Sequence, residues 1–282
     1  MTVSDFSTVS TIEPPQRPEP DRPSQAQTGA ARPSCAAIVA SRHGRTGKTL
    51  LARVLADYFL LSGNRPLVFD TDFTEQTLRA AFPFDSVVVD LTETRDQMTL
   101  FDNLATRAPE ARVVDVSHYV FRKFFKLMDE SDFVSEARAR QIEPVIFYIA
   151  DRNPDAYEEG RLLRDRFAGC ALVLVENVFL GPIKERTLRS AGYRAFESHD
   201  LCMTLPLLDP QIADAIHDAE MSLSDVIRQP LSRSDEVAAG GLTFEHRAEL
   251  RSWLMKTFRD IHRVTRAAEA RAAQDAPATS PD

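Results

Sequence analysis

The stretch that decides the fold is SRHGRTGKT, residues 41–49, which lies between a short apolar run and an amphipathic segment. The apolar run, residues 36–40, predicts a buried strand. The segment after the loop predicts a helix over 48–62, since apolar residues recur there at helical spacing. A glycine-containing turn between a strand and a helix is the usual setting of a loop that binds a nucleoside triphosphate.

The residue types in this loop suit phosphate chemistry. Gly44 and Gly47 let backbone N–H groups point at phosphate oxygens, and Lys48 is long enough to reach the β- and γ-phosphates. The Thr49 hydroxyl can ligate Mg²⁺. We therefore expect the nucleotide to be bound by Gly44, Arg45, Thr46, Gly47, Lys48, Thr49 and Leu50.

Composition narrows the class of protein. A formal net charge of −8 over 282 residues argues against unspecific nucleic-acid binding by the whole molecule, although a local basic face stays open. Cys35, Cys170 and Cys202 show no Cys-x-x-Cys pairing, so neither a zinc site nor a disulfide framework is expected. The sequence shows neither a signal-peptide pattern nor an apolar run of about 18 residues. These features predict a soluble, cytoplasmic protein.

The chain divides into four predicted parts. Residues 1–34 are rich in proline and poor in large apolar residues, which predicts a disordered arm that serves as a spacer or as a docking tail. Residues 35–230 alternate apolar runs with helical stretches, as in an α/β fold with a doubly wound, mostly parallel sheet. Residues 231–271 form a helical extension, and 272–282 a disordered tail. Strands are expected at 36–40, 66–70, 86–91, 112–116, 144–150, 171–175 and, less clearly marked, 201–205.

A long helix is expected over 244–271, with its apolar residues close to one face and a mainly basic opposite face. Two interpretations stay open. The apolar face packs on the sheet, or the helix attaches to an anionic membrane surface or a partner.

The loop resembles the deviant Walker A motif of the ParA/MinD ATPases, within the CobQ/CobB/MinD/ParA group, which reads Lys-Gly-Gly-x-Gly-Lys-Thr/Ser. Here His43 stands at the signature lysine and Arg45 at the second glycine. The resemblance covers about residues 35–228. It implies a P-loop NTPase fold, ATP and Mg²⁺ as ligands, an ATP-dependent homodimer, and a protein cargo or activator.

Arg45 is a candidate substitute for the lost lysine. A guanidinium can grip phosphate oxygens in bidentate fashion, so Arg45 would supply charge to the transition state in its own subunit or across a dimer. The alternative is an arginine that is solvated at the mouth of the loop.

Carboxylates are expected at the carboxyl ends of strands beside the loop, where ligands bind in open α/β sheets. The stretch LVFDTD, residues 67–72, meets this condition and resembles the Asp-x-Asp segment of the same family. The resemblance makes Asp70 a contact of the metal or of the attacking water and places Asp72 in the first switch segment. An Asp-rich turn that only closes a strand is the alternative.

Two aspartates compete for the Walker B position. Asp115 follows the apolar residues 113–114 in the predicted strand 112–116, whereas Asp90 follows the stronger apolar run 87–89 in the predicted strand 86–91. We favour Asp115, because the family places this strand after an intervening helix, which residues 98–105 can supply. The family's Asp-Thr-Pro-Pro is replaced by Asp-Val-Ser-His at 115–118.

Asn177 ends the apolar run that begins at residue 171. In the family an asparagine at this point lies against the base, and its amide can both donate to and accept from adenine. The Leu-Pro stretch at 205–208 resembles a late segment whose loop packs beside the base.

Together these features predict an ATP-binding protein of ParA/MinD type, a slow ATPase whose self-association positions or partitions a cargo. Two alternatives stay open. One is an ATP-dependent synthase or kinase on a related scaffold, and the other is a nucleotide-binding module with little hydrolysis.

Overall fold

A seven-stranded sheet organises the chain. The computed structural model describes residues 34–108, 110–197, 199, 201–228 and 242–275. The strand order is β3-β2-β4-β1-β5-β6-β7, and every pairing among the described strands is parallel. The strands are β1 (Ser34–Ala40), β2 (Leu67–Asp70), β3 (Ser86–Val88), β4 (Arg112–Asp115), β5 (Ile142–Ile149), β6 (Ala171–Asn177) and β7 (Cys202–Leu205). The predicted α/β class and its parallel sheet are confirmed.

Helices cover both faces of this sheet. They are α1 (Lys48–Leu61), α2 (Thr77–Ala81), α3 (Thr94–Ala105), α4 (Phe121–Glu130), α5 (Phe133–Ala139), α6 (Pro154–Arg166), α7 (Glu185–Leu188), α8 (Ala191–Arg194), α9 (Pro210–Asp218), α10 (Leu223–Arg228) and α11 (Phe244–Asp275). A 3₁₀ turn spans Val178–Leu180. The turn, α2, α7 and α8 were not predicted, because elements of three to five residues are too short to show a helical period.

Alternation along β1 explains the two cores. Ala37 and Val39 face the layer built by α1, α9, α10 and α11, while Ile38 faces the layer built by α3, α4, α5 and α6. Both faces of the central strand are therefore buried, as is usual in a parallel sheet. This explains why residues 36–40 read as a continuous apolar run.

β3 is shorter than the predicted strand over 86–91. The chain turns at Asp90, whose carboxylate accepts the backbone N–H of Thr92 at 2.8 Å. An aspartate that bonds its own backbone two residues on competes with strand pairing. The strand accordingly ends at Val88.

The long helix α11 packs its apolar face into the first of these cores. Leu250, Ile261 and Val264 are fully buried there, and the Trp253 indole N–H donates to the Pro206 carbonyl at 2.9 Å. This contact favours docking on the core, since the apolar face that a membrane surface would need is already covered. Among the described residues, no helix combines the length and apolar character that crossing a bilayer requires.

Two predicted boundaries differ from the structure. Ser34, assigned to the arm, begins β1, and α11 continues past residue 271 to Asp275, so the predicted tail begins too early. The helix extends because residues 267–274 are mostly alanine and charged residues of high helix propensity. The rest of the predicted arm, together with 276–282 of the tail, lies outside the described residues.

Candidate functional site

The loop 41–49 lies at the carboxyl end of β1, which is flanked by β4 and β5 at the centre of the sheet. Gly47 has φ +92°, a conformation that glycine adopts readily. A Cβ atom on Gly47 would also lie 2.6 Å from Asn177 Nδ2. Glycine at this position is therefore needed for both conformation and space, and α1 begins immediately afterwards.

The start of α1 is joined to the end of β4 by one short hydrogen bond. Thr49 Oγ1 donates to Asp115 Oδ2 at 2.6 Å. Asp115 is almost fully buried, and among the described residues its Oδ1 atom has no hydrogen-bond partner. Burial raises the pKa of Asp115 to about 7, although the Thr49 bond and the Lys48 charge oppose this. A hydroxyl beside a carboxylate with an unused oxygen is a donor set that suits Mg²⁺.

The structure brings Asp115, and not Asp90, to the loop. β4 pairs with β1, with Asp115 in register with Val39. Asp90 follows β3 at the edge of the sheet, and its carboxylate accepts both the N–H and the hydroxyl of Thr92. The position of each aspartate along the chain does not distinguish the two candidates. The strand order does, because β4 lies beside β1 and β3 lies at the edge of the sheet.

The Lys48 ammonium lies over the loop. Its Nζ donates to the His43 carbonyl at 3.0 Å, and the side chain is buried. Burial lowers the pKa of Lys48, while the nearby charges of Asp115 and Asp72 raise it. A buried cation that faces two carboxylates and a glycine-containing loop can neutralise phosphate charge.

The two aspartates after β2 have different surroundings. Asp70 accepts the backbone N–H of Asp72 on one oxygen at 2.9 Å and that of Leu78 on the other at 3.1 Å, and burial raises its pKa. Asp72 instead accepts the Ser117 hydroxyl at 3.1 Å. Asp70 thus holds its own turn together, and its role toward water or metal stays a prediction. The family resemblance places Asp72 in the first switch segment but predicts no bonding partner for it. The bond to Ser117 is therefore known only from the structure.

Asn177 supports the loop from the end of β6. Its Nδ2 donates to the Thr46 carbonyl at 2.9 Å, and its Oδ1 accepts the Phe179 N–H at 3.0 Å. The side chain is 4% exposed. Both polar atoms of the amide are occupied by protein groups, so the structure gives Asn177 a positioning role, and contact with a base stays a prediction.

The two departures from the family motif are both at the mouth of the loop. His43 Nδ1 pairs with Asp151 at the end of β5, so this ring is tied to its own chain. Arg45 is exposed and has φ +58°, an uncommon conformation for a residue other than glycine. Leu50 packs its side chain against the core beneath the loop.

His118, for which the sequence analysis predicts no role, has its ring beside Gly44 of the loop. A Cβ atom on Gly44 would be 3.1–3.3 Å from three atoms of the His118 imidazole. The neighbouring Tyr119 ring has its centroid 3.8 Å from that of His118. A signal was present in the sequence, because His118 follows directly on the segment predicted to carry the Walker B aspartate.

Comparisons with known proteins give matches of structure only. Neither a scan against protein-family models nor a search of curated proteins finds a match. Among solved structures, the chain is similar to the MinC:MinD cell division protein complex of Aquifex aeolicus, with 12% identity, 81% of this chain and 95% of that chain covered, and a TM-score of 0.45. The chain is also similar to the MinD cell division protein of Aquifex aeolicus, with 11% identity, 81% of this chain and 97% of that chain covered, and a TM-score of 0.41.

A plasmid partition protein from Borrelia burgdorferi gives 12% identity, coverage of 62% and 90%, and a TM-score of 0.39. At these identities and TM-scores, the similarities carry no argument about what this chain binds or does.

Proposed function

We propose that this chain binds MgATP in the loop 44–49 and is a slow ATPase of ParA/MinD type, whose ATP-dependent self-association positions or partitions a cellular cargo. The observation that carries the proposal is the Thr49–Asp115 bond, together with the Asp115 Oδ1 atom, which has no hydrogen-bond partner among the described residues. It joins the end of the loop to the strand beside it, where a phosphate-bound metal ion would need both groups.

The roles follow from the positions. Backbone N–H groups of the loop and the N-terminus of α1 attract phosphate oxygens. Lys48 neutralises the β- and γ-phosphates, and Thr49 with Asp115 would hold Mg²⁺. That ion, when bound, would neutralise further charge on the phosphate oxygens. Asp70 stays our candidate for the water contact, with Asp72 beside it.

Adenine is the proposed base, on the resemblance at Asn177. The amide keeps a second N–H and a second oxygen lone pair beyond its bonds to Thr46 and Phe179, and these would be its contacts with the base. The preference for ATP over other nucleoside triphosphates is therefore a separate proposal, and the affinities of Asn177→Ala for ATP and GTP test it.

Self-association is supported by the surface around the loop. Large apolar or aromatic side chains follow four strands at the edge of the sheet that carries the loop, and all four are exposed: Phe73, Tyr119, Phe179 and Leu207. Exposed apolar groups that surround a ligand site suit a partner surface. A second copy of the chain is the partner proposed here; the cargo or activator is unassigned.

One observation favours a second candidate, a binding module with little turnover. Asp70 is buried, and each of its oxygens already accepts a backbone N–H, so its carboxylate is held in its own turn and has little access to water in the structure as it stands. Hydrolysis would then wait for a rearrangement of the turn 70–78, which accounts equally for a slow rate.

The test combines nucleotide binding, mass and phosphate release on the full chain. Labelled ATP and ATPγS are titrated with Mg²⁺, and the oligomeric state is measured in the same samples. A dimer with ATP and slow phosphate release supports the proposal. Monomeric binding without release supports the module, and release only with an added small acceptor supports a synthase or kinase.

Lys48→Ala is the decisive variant, with Lys126→Ala on the exposed face of α4 as its matched control. We expect Lys48→Ala to lose at least about tenfold in MgATP affinity, since a charged hydrogen-bonding group is removed from phosphate. Equal affinity in both variants would refute the site itself.

A further inference from the structure

His118 is the side chain that covers the phosphate loop. Its ring lies against Gly44, and a Cβ atom on that residue would be in tight contact with Cε1, Nε2 and Nδ1, all at 3.1–3.3 Å. Glycine at position 44 thus allows the imidazole to approach the loop backbone closely. The ring belongs to the segment between β4 and α4, so it reaches the loop from the strand that carries Asp115.

Charged groups surround this ring. Lys48, Asp72, His43 and Glu75 all act on its charge state, and the ring itself is half-buried. Burial, followed by the charge of Lys48, lowers the pKa of His118. The imidazole is therefore neutral near pH 7, with one N–H that can donate to an anion.

The position of Lys48 indicates where the phosphates would lie. Its ammonium is on the loop, bonded to the His43 carbonyl, and its length suits the β- and γ-phosphates. The charge of Lys48 acts on the His118 ring, and that ring lies against Gly44 of the same loop. A triphosphate that fills the loop therefore brings its terminal phosphate against the imidazole.

The other histidine at this mouth is committed elsewhere. His43 Nδ1 pairs with Asp151, which draws its ring toward the end of β5. The residue that stands in the signature lysine position is thus held within its own chain, and His118 is the imidazole left facing the loop.

We propose that His118 is a phosphate-contacting residue that donates a hydrogen bond to the terminal phosphate and so distinguishes a triphosphate from a diphosphate. This inference rests on the proposed nucleotide site. Tyr119 packs on the His118 ring and is 81% exposed. A change in the His118 ring on phosphate binding would therefore also change the protein surface at Tyr119.

Three substitutions separate the donor from the ring. His118→Ala removes both, His118→Phe keeps a ring without an N–H, and His118→Gln keeps an N–H donor without a ring. Because His118 is half-buried, none of them opens a large core cavity. His217→Ala, at an exposed position of α9, is the matched control.

The measurement is the ratio of affinities for ATPγS and ADP, each with Mg²⁺, by calorimetry on the full chain, with the unfolding temperature recorded for each variant. We expect His118→Ala and His118→Phe to lower this ratio about tenfold while ADP affinity changes less than about twofold, since one hydrogen bond to a charged group is lost. His118→Gln and His217→Ala keep most of the ratio.

Several results overturn the proposal. They are an unchanged ratio in His118→Ala, a ratio kept by His118→Phe, or a gain in ATPγS affinity on removing the ring, which would make His118 an obstruction. Failure of the proposed nucleotide site gives a different result. The Lys48→Ala variant would then have the same affinities as the parent chain for ATPγS and for ADP.

Discussion

Thr49 Oγ1 and Asp115 Oδ2 lie 2.6 Å apart, although the two residues are 66 positions apart in the chain. The bond forms only when β4 is paired beside β1, because that pairing sets Asp115 level with Val39. The pairing of Thr49 with Asp115 at the loop therefore depends on the assembled sheet. A short loop peptide with the same residues would lack the carboxylate.

We expect Asp115→Asn to change how stability depends on pH. The pKa of Asp115 in the folded chain, about 7, is above the value near 4 of an unfolded aspartate. The folded state thus binds an extra proton between about pH 4 and 7, so its contribution to stability falls as pH rises through this window. The parent should lose about 2–4 kcal/mol from this group by pH 8, and Asp115→Asn should not.

Urea unfolding at pH 5, 6, 7 and 8 without metal measures this difference. Added MgATP should stabilise the parent and not Asp115→Asn, because the metal ligand is gone. Asp90→Asn is the control, since Asp90 is away from the loop. If Asp90→Asn lost the MgATP effect and Asp115→Asn kept it, the Walker B assignment would be reversed.

Asn177→Ala tests a loop support against a base contact. Loss of the bonds to Thr46 and Phe179 should destabilise the chain by about 1–3 kcal/mol, since buried polar groups lose their partners. If Asn177 only positions the loop, affinities for ATP and GTP should fall by the same factor. Asn153→Ala, at an exposed residue, should leave both unchanged.

The two roles give different nucleotide preferences. A loss confined to ATP, with GTP unaffected, would show that the amide reads adenine. Calorimetry with both nucleotides on both variants decides between them. An Asn177→Ala protein that matched the parent in stability and in both affinities would refute either role.

The sequence predicts this fold well because its signals are local. A short apolar run, the Gly-Lys-Thr turn and a helical apolar period are visible within 30 residues, and they identify β1, the loop and α1. The choice between Asp90 and Asp115 is different, because it depends on which strand lies beside β1. That is a long-range property, and the sequence supplied it only through a family resemblance.

The partners of single atoms were beyond prediction for a further reason. Nothing in the local sequence pattern indicates that the Asn177 amide bonds the loop. Nor does it indicate that both oxygens of Asp70 accept N–H groups of the turn that follows it. His118 is a similar case, since its ring lies against a glycine 74 positions earlier in the chain. Such contacts arise where separate strand ends meet.

Asp57 should be among the costliest substitutions outside the loop. It is fully buried on α1, and its carboxylate accepts the backbone N–H groups of Leu223 and Ser224 at the start of α10. Arg53, one turn earlier, donates to the Ile216 and Met221 carbonyls. We expect Asp57→Ala to cost about 3–5 kcal/mol, because it leaves a buried arginine without its counter-charge.

Urea unfolding checks this cost, and Glu130→Ala is the control. Glu130 forms an exposed ion pair with Lys126 on α4, so its loss should cost less than about 1 kcal/mol. A cost for Asp57→Ala as small as that of Glu130→Ala would show that this pair does not join α1 to α10.

Arg45 is expected to show opposite effects on stability and on turnover. Its φ of +58° is costly for arginine and easy for glycine, so Arg45→Gly should raise the free energy of unfolding by about 1 kcal/mol. Arg45→Ala keeps the strain and should leave stability within about 0.5 kcal/mol of the parent. Both variants lose the guanidinium.

If Arg45 supplies charge to the transition state, both variants should therefore lose turnover alike, by at least about tenfold, despite their different stabilities. Phosphate release under saturating MgATP measures this, with Arg122→Ala at an exposed position of α4 as the control. A strained residue retained at a site of proposed chemistry is the pattern expected when function opposes stability. Unchanged turnover together with the stability gain in Arg45→Gly would show instead that Arg45 is solvated at the mouth of the loop, and that its strain serves no catalytic purpose.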